Sequence, residues 1–116
     1  RHPDLALIYS NIADTHYELK EYELGITAIE TALKILQSKK LNTKDALIKP
    51  ADLIIRCIYH RSRLMYARKD FSRAYADALF AVEEGRKNLE PNDVWQKQHK
   101  EWLQKIIKLS EVKNGH

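Results

Sequence analysis

Glycine and proline are scarce in this 116-residue chain, with three of each. That is too few turn formers for a sandwich or barrel of many short strands. A single cysteine, Cys57, excludes an internal disulfide framework. No apolar run approaches the roughly 18 residues of a membrane span. The longest, Leu53 to Tyr59, is broken by Arg56, so no membrane partner is expected. The three glycines, Gly25, Gly85 and Gly115, stand alone, which leaves no phosphate-cradling loop. The five histidines form no H-x-x-x-H pair and have no cysteine partners, so neither a metal nor a cofactor is expected. No serine sits in a strand-to-helix elbow, and Cys57 falls on an apolar face, so a non-catalytic role is expected. The chain opens Arg1-His2-Pro3, without Met or a secretory leader. It reads as a piece of something longer, with an intracellular, cytoplasmic address.

What is present is a mixture that can bury a core: 44% hydrophobic and 31% charged residues, enough for one domain. Lys and Arg outnumber Asp and Glu by 20 to 16, a formal +4. That mild excess permits acidic protein partners, anionic lipid or nucleic acid and requires none of them.

Hydrophobic periodicity predicts five helices and no strand. Leu5, Ile8, Ile12 and Leu19 recur on one face, with Ala13 and His16 beside them, for a helix at about 3–19. Pro3 suits its first turn. Tyr22, Ile26, Ile29, Leu33 and Leu36 mark a second at about 22–38. Gly25 inside it signals a close neighbour. A linker follows at about 39–49, in which Thr43 could cap a short turn. Pro50 starts a third helix, about 50–67, with Ile54, Cys57, Ile58, Leu64 and Met65 on its apolar face. Asp70 caps a fourth, about 70–85, carrying Phe71, Ala74, Ala78, Ala81 and Val82. Gly85 could end it in a left-handed position, or the following residues could extend it. Val94, Trp95, Trp102, Leu103, Ile106, Ile107 and Leu109 stripe a fifth, about 93–111, before a tail at 111–116 that should fray. Two- and three-residue connections force antiparallel hairpins.

The chain also repeats itself. An offset of 49 residues lays Tyr17 on Tyr66, Lys20 on Lys69, Glu21 on Asp70, Tyr22 on Phe71, Gly25 on Ala74 and Ala32 on Ala81, without a gap. Each hairpin alone leaves an apolar face bare, and stacking a neighbour completes the core. The small residues Ala13, Gly25 and Ala32, repeated as Ser62, Ala74 and Ala81 with Tyr22 and Phe71 at the turn, resemble the tetratricopeptide repeat. The resemblance covers about 6–86, with 93–111 in the place of that family's capping helix. It implies a right-handed α-solenoid: repeat one at about 3–38, repeat two at about 50–86, within a single domain spanning 1–116. Ile29, Ala78, His16 and Met65 stand where the family carries other large or aromatic residues, and the spacing exceeds the family's unit of about 34 by roughly 15. His2-Pro3-Asp4-Leu5-Ala6 and Asn11-Ile12-Ala13 resemble the repeats of the kinesin light chain.

The first helix of each hairpin should line the inner groove of such an array. Arg56, Tyr59, His60 and Arg63 share one face of the third helix, and Tyr66 extends it. Arginine gives forked, charge-assisted bonds to carboxylates, and tyrosine adds rigid contact area. Asp14 and Tyr17 face them from the first helix, on a mixed to acidic side that includes Leu7, Ser10 and Glu18. The expected function is protein–protein interaction: a groove holding an acidic or carboxylate-ended peptide, or a helix, of a partner, within a larger adaptor, scaffold, co-chaperone or assembly factor. The two-carboxylate clamp by which tetratricopeptide modules take chaperone C-terminal tails would align with Arg56 and His60, and with Ser10 and Asp14. Asp14 would repel a carboxylate, so that clamp is incomplete. Two alternatives stand beside this reading. One is homodimerisation as a structural segment of a larger solenoid. The other, a weaker case, is nucleic-acid binding by Lys97, Lys100, Lys105, Lys108 and Lys113 on the fifth helix.

Overall fold

The computed structural model describes residues 2–113. Five helices follow in chain order: α1 (Pro3–Glu18), α2 (Tyr22–Leu36), α3 (Pro50–Ala67), α4 (Phe71–Asn88) and α5 (Val94–Lys113). No strand occurs among the described residues. Proline opens α1 and α3, where its missing N–H costs nothing. Asp70 caps α4 by accepting from the Arg73 N–H. The helix ends otherwise fall within three residues of expectation. α4 runs on to Asn88, so Gly85 is helical rather than a left-handed stop. The expected fraying is met by helix as far as Lys113, and 114–116 lie outside the described residues.

The internal repeat is visible in the backbone as well as in the residue types. Lys20 and Lys69, equivalent under the 49-residue offset, both adopt positive φ, 63° and 70°. Glu21 N–H donates to the His16 carbonyl and Lys20 N–H to that of Tyr17. Asp70 N–H donates to Met65 and Lys69 N–H to Tyr66 in the same way. Each is a helix stop that satisfies otherwise orphaned carbonyls, with lysine where glycine is usual.

Packing follows the chain. α1 lies on α2, α2 on α3, α3 on α4 and α4 on α5, with a lesser contact of α1 on α3. The result is an open row, 51 × 32 × 21 Å. The main core is built from Ala6 and Ala13 of α1, Ile29 and Ala32 of α2, Leu53, Cys57 and Leu64 of α3, Ala74 and Ala78 of α4, and Leu103 and Ile106 of α5. Gly25 is a point of close approach: a Cβ there would lie 2.7 Å from Leu64 Cδ2 and 3.4 Å from the Ala13 carbonyl oxygen.

One apolar face is not where the periodicity places it. α1 turns Ala6, Ser10 and Ala13 into the core and leaves Leu5, Ile8, Ile12 and Leu19 exposed. Small residues face α2 because the helices approach closely there. The larger side chains therefore take the opposite flank. Val94 of α5 is likewise exposed.

The 39–49 linker folds back onto the start of α1. Leu47 N–H donates to Asp4 Oδ1 at 3.0 Å, and His2 Nε2 meets the Lys44 carbonyl oxygen at 2.6 Å. The capping side chain in the linker is Asn42, which accepts from Lys44 N–H; Thr43 contributes its carbonyl to a turn with Ala46.

Candidate functional site

Asp14 and Arg63 are the same position in the two repeats, as are Tyr17 and Tyr66. Side by side, α1 and α3 bring such equivalents onto one face. Arg63 Nη1 donates to Asp14 Oδ1 at 3.2 Å, and its guanidinium stacks 4.2 Å above the Tyr17 ring, with Tyr59 at 5.6 Å. The acidic and basic halves of the expected groove are thus joined by an ion pair. Only one of the five Arg63 donors is engaged in that pair. The Asp14 side chain remains 48% exposed and that of Arg63 20%.

Helix α5 adds three residues that the sequence reading did not assign to this face: Trp95, His99 and Trp102, one side of a helix at spacings of four and three. Trp95 lies over Arg56, with the guanidinium carbon 3.9 Å from the ring centre. His99 packs 4.7 Å from the Tyr59 ring, and Trp95 lies 6.0 Å from His60. Tyr66 sits edge-on between Phe71 at 5.0 Å and Trp102 at 5.6 Å. Trp102 Nε1 donates to Ser62 Oγ at 2.8 Å, and Ser62 Oγ donates to the Ala74 carbonyl oxygen at 2.6 Å.

The seven residues read as partner contacts therefore come together, but not as an open stripe. Tyr59 and His60 are 9% and 8% exposed, because α5 buries its aromatic side against α3 as well as α4. Arg56 is half-covered, and burial lowers its pKa against the opposing pull of Asp93. Burial raises the Tyr59 pKa despite Arg63. His60 is pushed down to about 4 by burial, against Asp14 and with Arg63, Arg56 and His99 adding to the shift. His99 is pushed down to about 4 by burial and by Arg56. The residues that remain partly exposed are Asp14, Tyr17, Arg56, Arg63 and Tyr66. Across a shallow hollow floored by Tyr59 and Trp102 stand Gln98, Glu101 and Lys105.

Elsewhere, Arg61 and Asp77 form a two-bond pair at 2.8 and 3.0 Å that holds α3 to α4, and the hydrogen bonds raise the Arg61 pKa. Cys57 is fully buried, and burial pushes its thiol up to about 12. No group of three His, Cys, Asp or Glu side chains among the described residues is placed to hold a metal ion. No helix among them is long and apolar enough to cross a membrane. Lys97, Lys100, Lys105 and Lys108 are exposed, with Lys97 4.0 Å from Glu101. Comparison with protein-family models, with curated proteins and with solved structures finds no match for this chain.

Proposed function

We propose that this chain is a non-catalytic binding module, built as a right-handed, tetratricopeptide-like stack of two hairpins and a closing helix. It takes an acidic segment of a partner protein along the α1–α3 face, within a larger adaptor or assembly factor. The observation that carries the reading is the single-bonded Asp14–Arg63 pair, its guanidinium stacked on Tyr17 and near Tyr59. Asp14 occupies Arg63 as a ligand carboxylate would. A half-exposed, one-bond partner is readily displaced by a carboxylate that makes two bonds, since exposed pairs are worth at most about 1 kcal/mol. Of the chaperone-tail pair, His60 is buried under α5 and Arg56 is half-covered and stacked on Trp95, so the binding residues that remain are Arg63, Tyr17 and Tyr66, gated by Asp14.

The test is calorimetry with a fluorescein-labelled Glu-rich peptide bearing a free C-terminal carboxylate. Asp14→Asn should tighten binding by removing the internal competitor, and Arg63→Gln should abolish it. Arg63→Glu is the poorer probe, because it sets a carboxylate against Asp14 inside the fold. No binding by the parent chain or by Asp14→Asn refutes the proposal.

A second reading rests on the apolar strip of α1. Leu5, Ile8, Ile12 and Leu19 are 42%, 54%, 39% and 63% exposed at coiled-coil spacing. Under the repeat offset they match Ile54, Cys57 and Arg61 of α3 and Arg68 just after it. In place of an open strip, Cys57 there is buried, Arg61 pairs with Asp77 of α4 and Arg68 with Glu23 of α2. A strip of this kind suits pairing with another helix, including that of a second copy.

A further inference from the structure

The two halves of α5 meet the molecule differently. The C-terminal half buries Leu103 and Ile106 in the main apolar core. The N-terminal half buries polar groups: Gln96 is 5% exposed and His99 1%. Gln96 Oε1 and both ring nitrogens of His99 have no hydrogen-bond partner among the described residues. Beneath them lie Tyr59 and His60, and Arg56 sits under Trp95. The charged and titratable groups around this seam include Asp52, Arg56, Arg63 and Tyr59 of α3, Asp14 of α1, Asp93 at the head of α5, Glu101 beside Tyr59, and the two imidazoles. α4 presents Gly85, whose added Cβ would lie 4.0 Å from His99 Nδ1. Of the two carboxylates that act on the imidazoles, Asp14 bonds Arg63, and Asp93 accepts from the Trp95 N–H and acts on Arg56.

Neutral imidazoles fit this seam. A proton on either one adds a cation close to Arg56 in a largely buried seam, where Asp14 and Asp93 only partly offset the cost. We infer that residues 91–99 form an acid-released flap: protonation of His60 and His99 lifts the N-terminal half of α5 from α3 and uncovers Arg56, Tyr59 and His60. The C-terminal half stays in place, anchored by Leu103, Ile106 and the Trp102–Ser62 hydrogen bond. Once open, α3 presents Arg56, protonated His60 and Arg63 at i, i+4 and i+7, a cationic strip for carboxylates. The ligand half of this inference rests on the acidic-peptide reading; the motion does not.

The pH window follows from the burial of the two rings. Both are held to about 4 when covered and return towards 6.5 when released. Opening then becomes up to tenfold easier per pH unit for each histidine between those values, and up to about a hundredfold when both contribute.

The experiment is a pH titration of the chain from 7.5 to 4 by NMR. The two indole N–H signals report Trp95 and Trp102 separately, and the imidazole C–H signals report the histidines. The expected result is that Trp95 moves to a solvent-exposed position together with protonation of His60 and His99, while Trp102 and the far-ultraviolet helix signal hold. His60→Gln with His99→Gln should lower the Trp95 midpoint by more than one pH unit. Should that variant not fold, the parent chain still decides. Loss of both indole signals together with helix content overturns the flap, and so does Trp95 staying docked while both rings titrate. The Glu-rich peptide is then added at pH 5 and pH 7.5. Tighter binding at pH 5 joins the flap to the binding face. An open flap with no gain in binding keeps the motion and removes the ligand half of this inference, while absence of binding at both pH values removes the acidic-peptide reading.

Discussion

Single side chains account for much of what this fold spends and gains. Lys20 and Lys69 sit in a left-handed conformation that costs a non-glycine residue roughly 1 kcal/mol. Lys69→Gly should raise stability by about 0.5–1 kcal/mol, read as a higher thermal midpoint, because relief of strain outweighs the extra freedom of the unfolded chain. Ser62 relays Trp102 to the Ala74 carbonyl from a fully buried position. Ser62→Ala leaves both groups without that partner and should cost about 1–3 kcal/mol in a denaturant titration. The repeat flagged Ser62 as a small residue. Its role as a relay was not legible, because its acceptor lies 12 residues away and its donor 40.

At the scale of helices, α1 and α5 carry the lessons. Hydrophobic period identified α1 as a helix but could not choose between its two non-polar sides, since Ala6, Ser10 and Ala13 also repeat at helical spacing. Close approach to α2 selects the small side. Ile8→Ser with Ile12→Ser should therefore change the stability of the monomer by less than about 0.5 kcal/mol per site. Ala13→Leu, pushing into filled space, should cost about 1–3 kcal/mol. For α5, the buried imidazoles set a pH dependence. Their folded pKa values lie below the unfolded value, so between 6.5 and 4 the released or unfolded chain binds more protons. Stability is therefore complete above about pH 6.5 and falls as pH drops towards 4, by up to roughly 3 kcal/mol per histidine. Thermal melts at pH 7.5 and 4.5 check the sign. His60→Gln with His99→Gln should flatten the difference.

For the molecule as a whole, the row of helices ends in an uncovered apolar strip at α1. One helix pair offers less than the roughly 1,200 Å² of a standard interface, so any self-association should be weak. Light scattering across increasing concentration should show mass rising above that of one chain, and Ile8→Lys with Ile12→Lys should hold it at the monomer. A mass that stays monomeric throughout removes the self-pairing reading and leaves the strip for a helix of another protein.

Helix number, helix type, both tight hairpin turns and the duplication follow from the chain alone, because they depend on spacing within 20 residues and on a gapless offset. Asp14 and Arg63 were legible as facing groups for the same reason: equivalent positions of neighbouring helices look the same way. What the residues could not specify is how far α5 reaches. Trp95, His99 and Trp102 are apolar enough to bury anywhere in the row, and the place they bury is set by the shape α3 and α4 leave between them. That choice, made by packing rather than by pattern, buries Tyr59 and His60 in the middle of an expected open stripe and leaves Arg56, Arg63 and Tyr66 partly exposed.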